Sequence, residues 1–441
     1  MTTSTHLLRQ RRFAPLFVTQ LLNALNDNLY KNAMVLFVVY QVYNSPETET
    51  FISGVATAVF VLPFVLFSAT AGQLADMRDK AKIIRWIKFA EIIIMSVGAS
   101  GLVLAARGMQ VESLAIPLLF TALFAMGVHS TFFGPIKYAI LPQHLHKDEV
   151  LAGTGLVEAG TYVAILVGMM LGGALPIMAS TIGVIVIALI GYVACRWVPA
   201  APAETTETKV DWNPWRASQS LISFSMNNRE LRYSVLAISY FWTIAAILSV
   251  QFIPLAKNVL LADKQVAAVM LVAFSAGIAI GSVSINALLK GDISARYSAP
   301  SVLVMGGLLI TFYLICRMWN LAPAGGGLFS VGEFLAQPLA LVLIANLLLI
   351  AVAGGMFVVP LYAFLTTRVA VNQASRSVAA NNLISSVFMV VGAVAAGALG
   401  FLGIPLEEQL LASLVLCGVS ASVARKLHAT EADRAPEALK G

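Results

Sequence analysis

Residues 339–359 read LALVLIANLLLIAVAGGMFVV, a run of 21 positions without a charged side chain. A helix of about 20 apolar residues is long enough to cross the ~30 Å hydrocarbon core of a bilayer. Such a run must be helical in lipid, because loops and open strand edges would leave backbone N–H and C=O groups unpaired. The stretch therefore predicts a transmembrane helix.

Runs of this kind follow one another from Phe13 to Val423. Hydrophobic residues make up 59% of the 441 residues and charged residues 11%, against roughly 25% charged in globular domains. We predict an all-α membrane protein with twelve transmembrane helices, near residues 13–40, 51–75, 83–106, 113–135, 150–173, 176–197, 232–256, 266–289, 299–318, 335–359, 377–400 and 408–424.

The composition also argues against several other classes of protein. The net charge of +6 does not indicate nucleic-acid binding, because the basic residues lie in short loops between the apolar runs. Cys195, Cys316 and Cys417 show no paired or metal-type spacing, so we expect no disulfide, metal site or cofactor. Residues 1–12 are basic like the start of a signal peptide, but no small-residue cleavage site follows, and we predict a first helix that is retained.

The basic residues between the predicted spans are distributed unequally. The loops on one side of the membrane, together with both termini, carry most of the basic residues. The loops on the other side hold only Arg107, Lys257, Lys264 and Arg317. Short loops rich in Lys and Arg stay in the cytoplasm. Both termini are therefore predicted to be cytoplasmic, and the loop at 44–50 periplasmic.

One long polar break divides the predicted spans into six and six. The predicted domains are an amino-terminal six-helix bundle at 1–198, a cytoplasmic linker at 199–231, a carboxy-terminal six-helix bundle at 232–425 and a cytoplasmic tail at 426–441. Two such bundles form transporters whose halves move about a central site. Trp212 and Trp215 indicate either an amphipathic segment at the membrane surface or, as the favoured interpretation, a linker with two anchoring aromatic residues.

The loop after the second span contains Gly72-Gln-Leu-Ala-Asp76-Met-Arg78. It resembles the cytoplasmic Gly-x-x-x-Asp-Arg signature of the major facilitator superfamily, with Met77 where a basic residue is usual. Asp76 is expected to accept hydrogen bonds from the N-terminus of a neighbouring helix, so that Gly72, Asp76 and Arg78 latch one conformation. A solvated, positively charged loop is the alternative. The resemblance implies the two-bundle fold of that superfamily.

Few charged residues fall well inside the predicted spans, namely Asp27, Lys31, Glu91 and Glu158. A charge at the bilayer centre costs about 2.5–3.5 kcal/mol on insertion scales, so such residues tend to be functional. Glu91 lies three residues after Lys88, and we predict a structural role for it as the partner of that lysine.

Asp27 and Lys31 are four residues apart and therefore share one face of the first helix, together with Gln20 and Asn23. This polar stripe is predicted to face the inside of the bundle. The pair could simply neutralise itself. The surrounding amides instead favour a binding site for a ligand that carries both signs of charge.

His129, Phe133 and Lys137 recur every four residues at the end of the fourth span, and Pro135 is expected to loosen the helix there. A single lysine at a helix end is usually an anchor whose charge reaches the membrane surface. Glu158, in the fifth span, is either a gate residue that pairs with Lys137 or a locally hydrogen-bonded structural carboxylate.

The second half of the chain is poor in charge, and its predicted interior is apolar and aromatic, with residues such as Tyr240 and Trp242. A charged wall in one half and an apolar wall in the other would suit an amphiphile with a headgroup and an acyl chain. Ordinary core packing explains the second half equally well.

Three segments in chain order resemble the lysophospholipid transporter family of bacterial inner membranes. They are QLLNALNDNLYKN at 20–32, GPIKYAILP at 134–142 and GLVEAGT at 155–161. The resemblance covers the amino-terminal half, whereas the carboxy-terminal half resembles only a helical bundle in general. This chain carries Asn26 before Asp27 where free-standing members have glycine, and here it is closer to the transporter part of fused transporter–acyltransferase proteins.

The resemblance implies a flippase that moves lysophosphatidylethanolamine and lysophosphatidylglycerol from the outer to the inner leaflet of the inner membrane by alternating access. It implies that Asp27, Lys137 and Glu158 lie on the substrate path, with Lys137 as a phosphate ligand. We add Gln20, Asn23, Lys31, Phe133 and Tyr138 as substrate-binding candidates. Because the sequence ends at Gly441, the acyltransferase that restores the second chain is expected to be a separate protein, and the transporter a monomer.

Two other functions remain open from the sequence. The chain could be a proton-coupled exporter of small amphipathic or cationic compounds, with Asp27 or Glu158 as the titrating group. A membrane enzyme is less favoured, because the sequence has no His-x4-Asp element, and His144 and His146 form only a weak match to catalytic patterns.

The charge asymmetry makes a prediction about topology. Single cysteines introduced at Ser45 and Ser218, in a background without the native cysteines, should react with an impermeant thiol reagent from opposite sides of the membrane. Labelling of both positions from the same side would contradict the twelve-helix arrangement.

Overall fold

The structure is a computed structural model that describes residues 4–38, 46–203, 205, 210–319, 321 and 327–438. Parts of three predicted segments, the loop at 44–50, the linker at 199–231 and the tail at 426–441, lie outside the described residues. The described chain is helical, and its only β-type pairing is an isolated bridge between Ala262 and Phe329.

Thirteen helices of more than two turns follow one another along the described chain. They are α1 Ala14–Phe37, α2 Pro46–Met77, α3 Lys80–Ala106, α4 Ile116–Ala139, α5 Val150–Ala174, α6 Ile177–Cys195, α7 Pro214–Asn227, α8 Arg229–Asn258, α9 Lys264–Leu289, α10 Ser298–Met318, α11 Pro338–Thr367, α12 Ala374–Phe401 and α13 Leu406–Ala438. Apart from α7, these correspond in order to the twelve predicted spans, which confirms the predicted fold class.

Eleven helices in the described part of the chain are long and apolar enough to cross a membrane. Helix α1 has the length, with 24 residues, but is not among the eleven. Its amides and charges, such as Asn23, Asn26 and Asp27, lower its hydropathy. Those side chains are buried against other helices, so α1 can still span the membrane without placing them in lipid.

Several helices extend beyond the predicted apolar runs. Helix α4 continues through Pro135 to Ala139, and α11 continues through Pro360 to Thr367. The length of an apolar run predicts only the part of a helix that lies in lipid. Polar residues prolong a helix into water, and a proline inside a membrane helix is tolerated where neighbouring groups satisfy the freed carbonyl.

The chain divides into two compact units. Unit 1 comprises Met1–Phe224 together with Val369–Leu383, and unit 2 comprises Ser225–Arg368 and Ile384–Gly441. The first residues of α12 therefore belong to unit 1 and its remainder to unit 2.

Glycines bring α5 against α1 inside unit 1. A Cβ atom placed on Gly168 would lie 2.6 Å from the Leu25 carbonyl oxygen, and one on Gly172 would lie 2.9 Å from Asn32 Cβ. Both distances leave no room for a side chain. Small residues of this kind let membrane helices pack backbone to backbone, and the contact positions the polar residues of α5 beside those of α1.

Glycines also bring α9 against α11 in unit 2. A Cβ on Gly277 would lie 2.6 Å from Ala351 Cβ, and one on Gly281 would overlap the Val352 backbone. Elsewhere in this unit Trp242 Nε1 donates a hydrogen bond of 2.9 Å to the Tyr362 hydroxyl. The charged residues of unit 2 stand near the ends of its helices, except in α13, where they also occur from Arg425 to the end of the helix.

Helix α7 lies within the segment predicted as the linker. Trp212 and Trp215, before and at its start, are exposed, whereas Ala217 and Leu221 on the opposite face are buried. The buried face packs against apolar residues of unit 1 that include Ala69. The helix is thus amphipathic.

Candidate functional site

Unit 1 buries a group of polar side chains contributed by three helices, which we name the Asp27 cluster. Its members are Asn23, Asn26 and Asp27 of α1, Lys88 and Glu91 of α3, and His129 and Ser130 of α4. None is more than 9% exposed. Buried polar atoms need hydrogen-bond partners, so the pairing within the cluster shows which groups are satisfied.

Glu91 is the most fully partnered member of the Asp27 cluster. It forms an ion pair with Lys88, accepts a hydrogen bond of 2.7 Å from Asn26 Nδ2, and lies 3.4 Å from His129 Nε2. The Lys88–Glu91 pair is the one predicted from their spacing. Lys88 is fully buried, although it lies only a few residues after the start of the predicted span.

Asp27 has only neutral partners. Asn23 Nδ2 and Ser130 Oγ donate to its Oδ2 at 3.3 and 2.5 Å. Its Oδ1 is buried and has no hydrogen-bond partner. In the described part of the chain no cationic group lies within 4.0 Å of either oxygen, so Asp27 has no ion-pair partner.

Lys31 does not pair with Asp27, although the two share a helix face. The Lys31 ammonium lies 5.5 Å from the ring centroid of Phe60 on α2. It lines a cavity of about 130 Å³ with Asn28, Asn32 and other neighbours. The spacing of Asp27 and Lys31 in the sequence could not show that their side chains do not pair. Lys31 contacts α2 whereas Asp27 contacts α4. The self-neutralising pair is therefore absent.

A second group of polar residues, which we name the Lys137 cluster, joins α1, α4 and α5. Its members are Gln20, Lys137, Tyr138, Glu158 and Thr161. Lys137 Nζ donates to Thr161 Oγ1 at 3.3 Å, and that hydroxyl lies 3.0 Å from Gln20 Oε1. The Tyr138 hydroxyl donates to Glu158. The ammonium of Lys137 also lies 4.9 Å from the Tyr138 ring centroid.

Glu158 and Lys137 form no ion pair within 4.0 Å among the described residues. Of the two possibilities for Glu158, the structure has the locally hydrogen-bonded carboxylate. Lys137 is half-buried and retains a hydroxyl as its only hydrogen-bond partner. Phe133, one turn before Lys137, is almost completely buried, so it offers no open surface to a ligand.

The two clusters together present unsatisfied groups of opposite sign. The carboxylate of Asp27 and the ammonium of Lys137 lack a close counter-ion, and they belong to the same unit. Gln20 Nε2 and Asn23 Oδ1 are also buried without a partner. Such groups are costly unless something else satisfies them, and a ligand with both a positive and a negative centre would do so.

Asp76 contacts the N-terminus of α12 inside unit 1. Its two carboxylate oxygens accept backbone hydrogen bonds from Ser375 and Arg376 at 3.0 and 3.1 Å. A carboxylate at that position also interacts favourably with the helix dipole. A Cβ on Gly72 would lie 2.6 Å from Ala379 Cβ, so only glycine fits there.

Arg78 differs from the other two residues of the predicted latch. It is exposed, and it makes no hydrogen bond or ion pair with any residue that the structure describes. The contact with α12 is made by Gly72 and Asp76, because both lie on the last turns of α2, whereas Arg78 follows the end of that helix.

The sequence was compared with protein families and with individual relatives. The model of the Major Facilitator Superfamily matches residues 16–393. Lysophospholipid transporter LplT of Serratia proteamaculans is 26% identical over 390 residues, which cover 86% of this chain and 84% of that protein. The LplT of Escherichia fergusonii is 26% identical over 377 residues, with 83% and 82% covered.

Solved structures of transporters share the fold. The human organic anion transporter MFSD10 superimposes with a TM-score of 0.72 at 13% identity, covering 94% of this chain and 99% of its own. A bacterial homologue of the iron transporter ferroportin gives a TM-score of 0.71 at 13% identity, covering 95% of this chain and 100% of its own. Identities this low show the fold alone.

Asp27 has no ion-pair partner, whereas Glu91 pairs with Lys88. Removing the charge of each carboxylate should therefore have a different effect. Asp27→Asn should fold normally, because an amide oxygen can still accept from Asn23 and Ser130, but should lose transport. Glu91→Gln should fold poorly, because it leaves Lys88 buried without its counter-ion, at a cost of about 3–5 kcal/mol.

The yield of monodisperse protein and the uptake of labelled lysophosphatidylethanolamine, measured together for both variants, test this prediction. If Asp27→Asn lost yield and transport in parallel, Asp27 would be a structural residue like Glu91.

Proposed function

The chain belongs to the Major Facilitator Superfamily, and from that membership we propose that it is a lysophospholipid transporter that works by alternating access. It is a multi-pass membrane transporter rather than an enzyme, in keeping with its family, its relatives and its fold. The substrates proposed are lysophosphatidylethanolamine and lysophosphatidylglycerol, carried from the outer to the inner leaflet of a bacterial inner membrane.

The observation that carries the proposal is the pair of unneutralised charges in unit 1. Lysophosphatidylethanolamine is zwitterionic, with an ammonium and a phosphodiester a few bonds apart. The ammonium would bind Asp27, where Oδ1 has no partner, and the phosphodiester would bind Lys137. Hydrogen bonds between ionised groups are about twice as strong as those between neutral ones.

Neighbouring polar groups support this assignment. Gln20 is linked to Lys137 through the Thr161 hydroxyl, and its Nε2 is free to donate. It would contribute a neutral donor to phosphate or glycerol oxygens. Tyr138 and Glu158 hold each other by a hydrogen bond, so we assign them to shaping the site rather than to direct recognition.

Alternating access requires an element that stabilises one conformation and releases in another. We assign this role to the contact of Asp76 with the start of α12, which depends on two backbone hydrogen bonds and on the close approach at Gly72. Both termini are proposed to be cytoplasmic. A separate acyltransferase would consume the lysolipid delivered to the inner leaflet, and the transporter would act as a monomer.

The Asp27 carboxylate, which has no ion-pair partner, also favours a second candidate function. This function is the proton-coupled export of small amphipathic or cationic compounds. A buried carboxylate without a cationic partner can bind either a proton or a cation. Asp27 fits that role better than Glu158, because its Oδ1 is buried without a hydrogen-bond partner. Uptake of lysolipid and export of a cationic dye by the same vesicles distinguish the two functions.

Lys137 provides the sharpest test of the proposed phosphate contact. Lys137→Gln should lower lysophosphatidylethanolamine transport about 10- to 100-fold, the loss expected when a hydrogen bond to a charged group disappears. Lys137→Arg should recover transport only in part, because the planar guanidinium differs from ammonium in shape. Uptake of labelled lysolipid into reconstituted vesicles is the measurement.

Lys147→Gln is the matched control, because Lys147 is an exposed lysine in the loop that follows α4. It should transport at the wild-type rate. Wild-type rates for Lys137→Gln at normal expression would refute the phosphate contact, and would reduce Lys137 to an anchor at the membrane surface.

A further inference from the structure

A second basic site lies at the end of unit 1 that carries the amino terminus. It is a cavity of about 480 Å³ lined by Arg11, Arg12, Arg85, Arg196, Trp197 and the stretch 198–200. No residue of the Asp27 or Lys137 cluster lines it. Its volume falls in the range typical of small-molecule sites.

The arginines of this cavity differ in how far they are already paired. Arg12 forms an ion pair of 2.7 Å with Glu149. One Arg85 nitrogen donates to the Val198 carbonyl oxygen at 3.3 Å, but its Nε is buried without a partner. Arg11 and Arg196 are exposed, and their side chains make no hydrogen bond with a described residue. Arg11, Arg85 and Arg196 thus line one cavity, and none of them forms an ion pair with a carboxylate of the described residues.

The cavity lies beside the ends of three long helices. Arg12 precedes α1, Arg85 stands near the start of α3, and Arg196 directly follows α6. Beside them Trp86 and Trp197 are 73% and 66% exposed. Tryptophans exposed at helix ends mark the interface between lipid headgroups and hydrocarbon.

The surfaces that continue from the cavity are apolar. Phe89 and Ile93 on α3, and Ile190 and Val193 on α6, are exposed, and Phe89 lies 6.1 Å from the Tyr192 ring. A ligand in the cavity would therefore have arginines around one end and membrane-facing side chains beside the other. This combination matches a phospholipid better than a free anion.

We propose that this cavity binds the phosphodiester headgroup of an anionic diacyl phospholipid from the adjacent leaflet, at a site separate from the substrate path. Guanidinium groups bind phosphate oxygens through paired N–H donors, and Arg11, Arg85 and Arg196 have such donors available. Basic pockets of this kind between membrane helices recognise anionic lipids. The lipid would neutralise the converging arginines and hold the ends of α1, α3 and α6 together.

The test uses full-length protein purified in detergent and freed of lipid. Binding of dioleoyl phosphatidylglycerol, dioleoyl phosphatidylcholine and inorganic phosphate would be measured by retained lipid and by the shift in unfolding temperature. The variant is Arg11→Gln with Arg196→Gln, which removes two charges that make no hydrogen bond within the described chain. The matched control is Lys82→Gln with Lys147→Gln, which removes two exposed charges that do not line the cavity.

Wild type and control should bind phosphatidylglycerol at least about tenfold more tightly than phosphatidylcholine, and the arginine variant should lose that preference while unfolding at the same temperature without lipid. Equal binding of the two lipids by the wild type, or an unchanged preference in the arginine variant, would overturn the proposal. Equal stabilisation by inorganic phosphate would also overturn it, in favour of a site for free anions. None of these outcomes depends on the transported substrate.

Discussion

The cost of an unpaired charge away from water governs the arrangement of unit 1. Lys88 and Glu91 meet this constraint by pairing with each other, and Asn26 adds a further hydrogen bond to the carboxylate. Asp27 and Lys137 do not meet it, because hydroxyl and amide groups are their only hydrogen-bond partners. Buried ionisable groups without a counter-ion tend to be functional, because a ligand can supply the missing partner. The proposed recognition of a zwitterionic headgroup follows from that contrast between the two kinds of buried charge.

Packing brings together the helices that carry these polar groups. Gly168 and Gly172 remove the side chains that would hold α5 away from α1, so that Thr161 can reach Gln20 and Lys137. Unit 2 uses glycines in the same way between α9 and α11, but its charged residues lie near the helix ends or in the second half of α13. The fold therefore concentrates polar chemistry in one unit, as expected for a substrate whose headgroup and acyl chain need different surroundings.

The sequence predicts the helices and the fold class because apolar length is a property of one segment at a time. It also predicts the Lys88–Glu91 pair, since three residues on one helix bring the two side chains together. It does not predict that Ser130 binds Asp27 or that Lys31 turns to Phe60, because these contacts depend on which helices become neighbours. The complete burial of Lys88 depends on neighbouring helices for the same reason.

The central claim is that Asp27 recognises the ammonium of the substrate, and headgroup selectivity tests it most directly. Rates of lysophosphatidylethanolamine and lysophosphatidylglycerol uptake would be compared between wild type and Asp27→Asn in the same vesicles. Lysophosphatidylglycerol has no ammonium, so the account predicts a large loss for the ethanolamine lipid and a much smaller one for the glycerol lipid. Equal losses for the two lipids would contradict it.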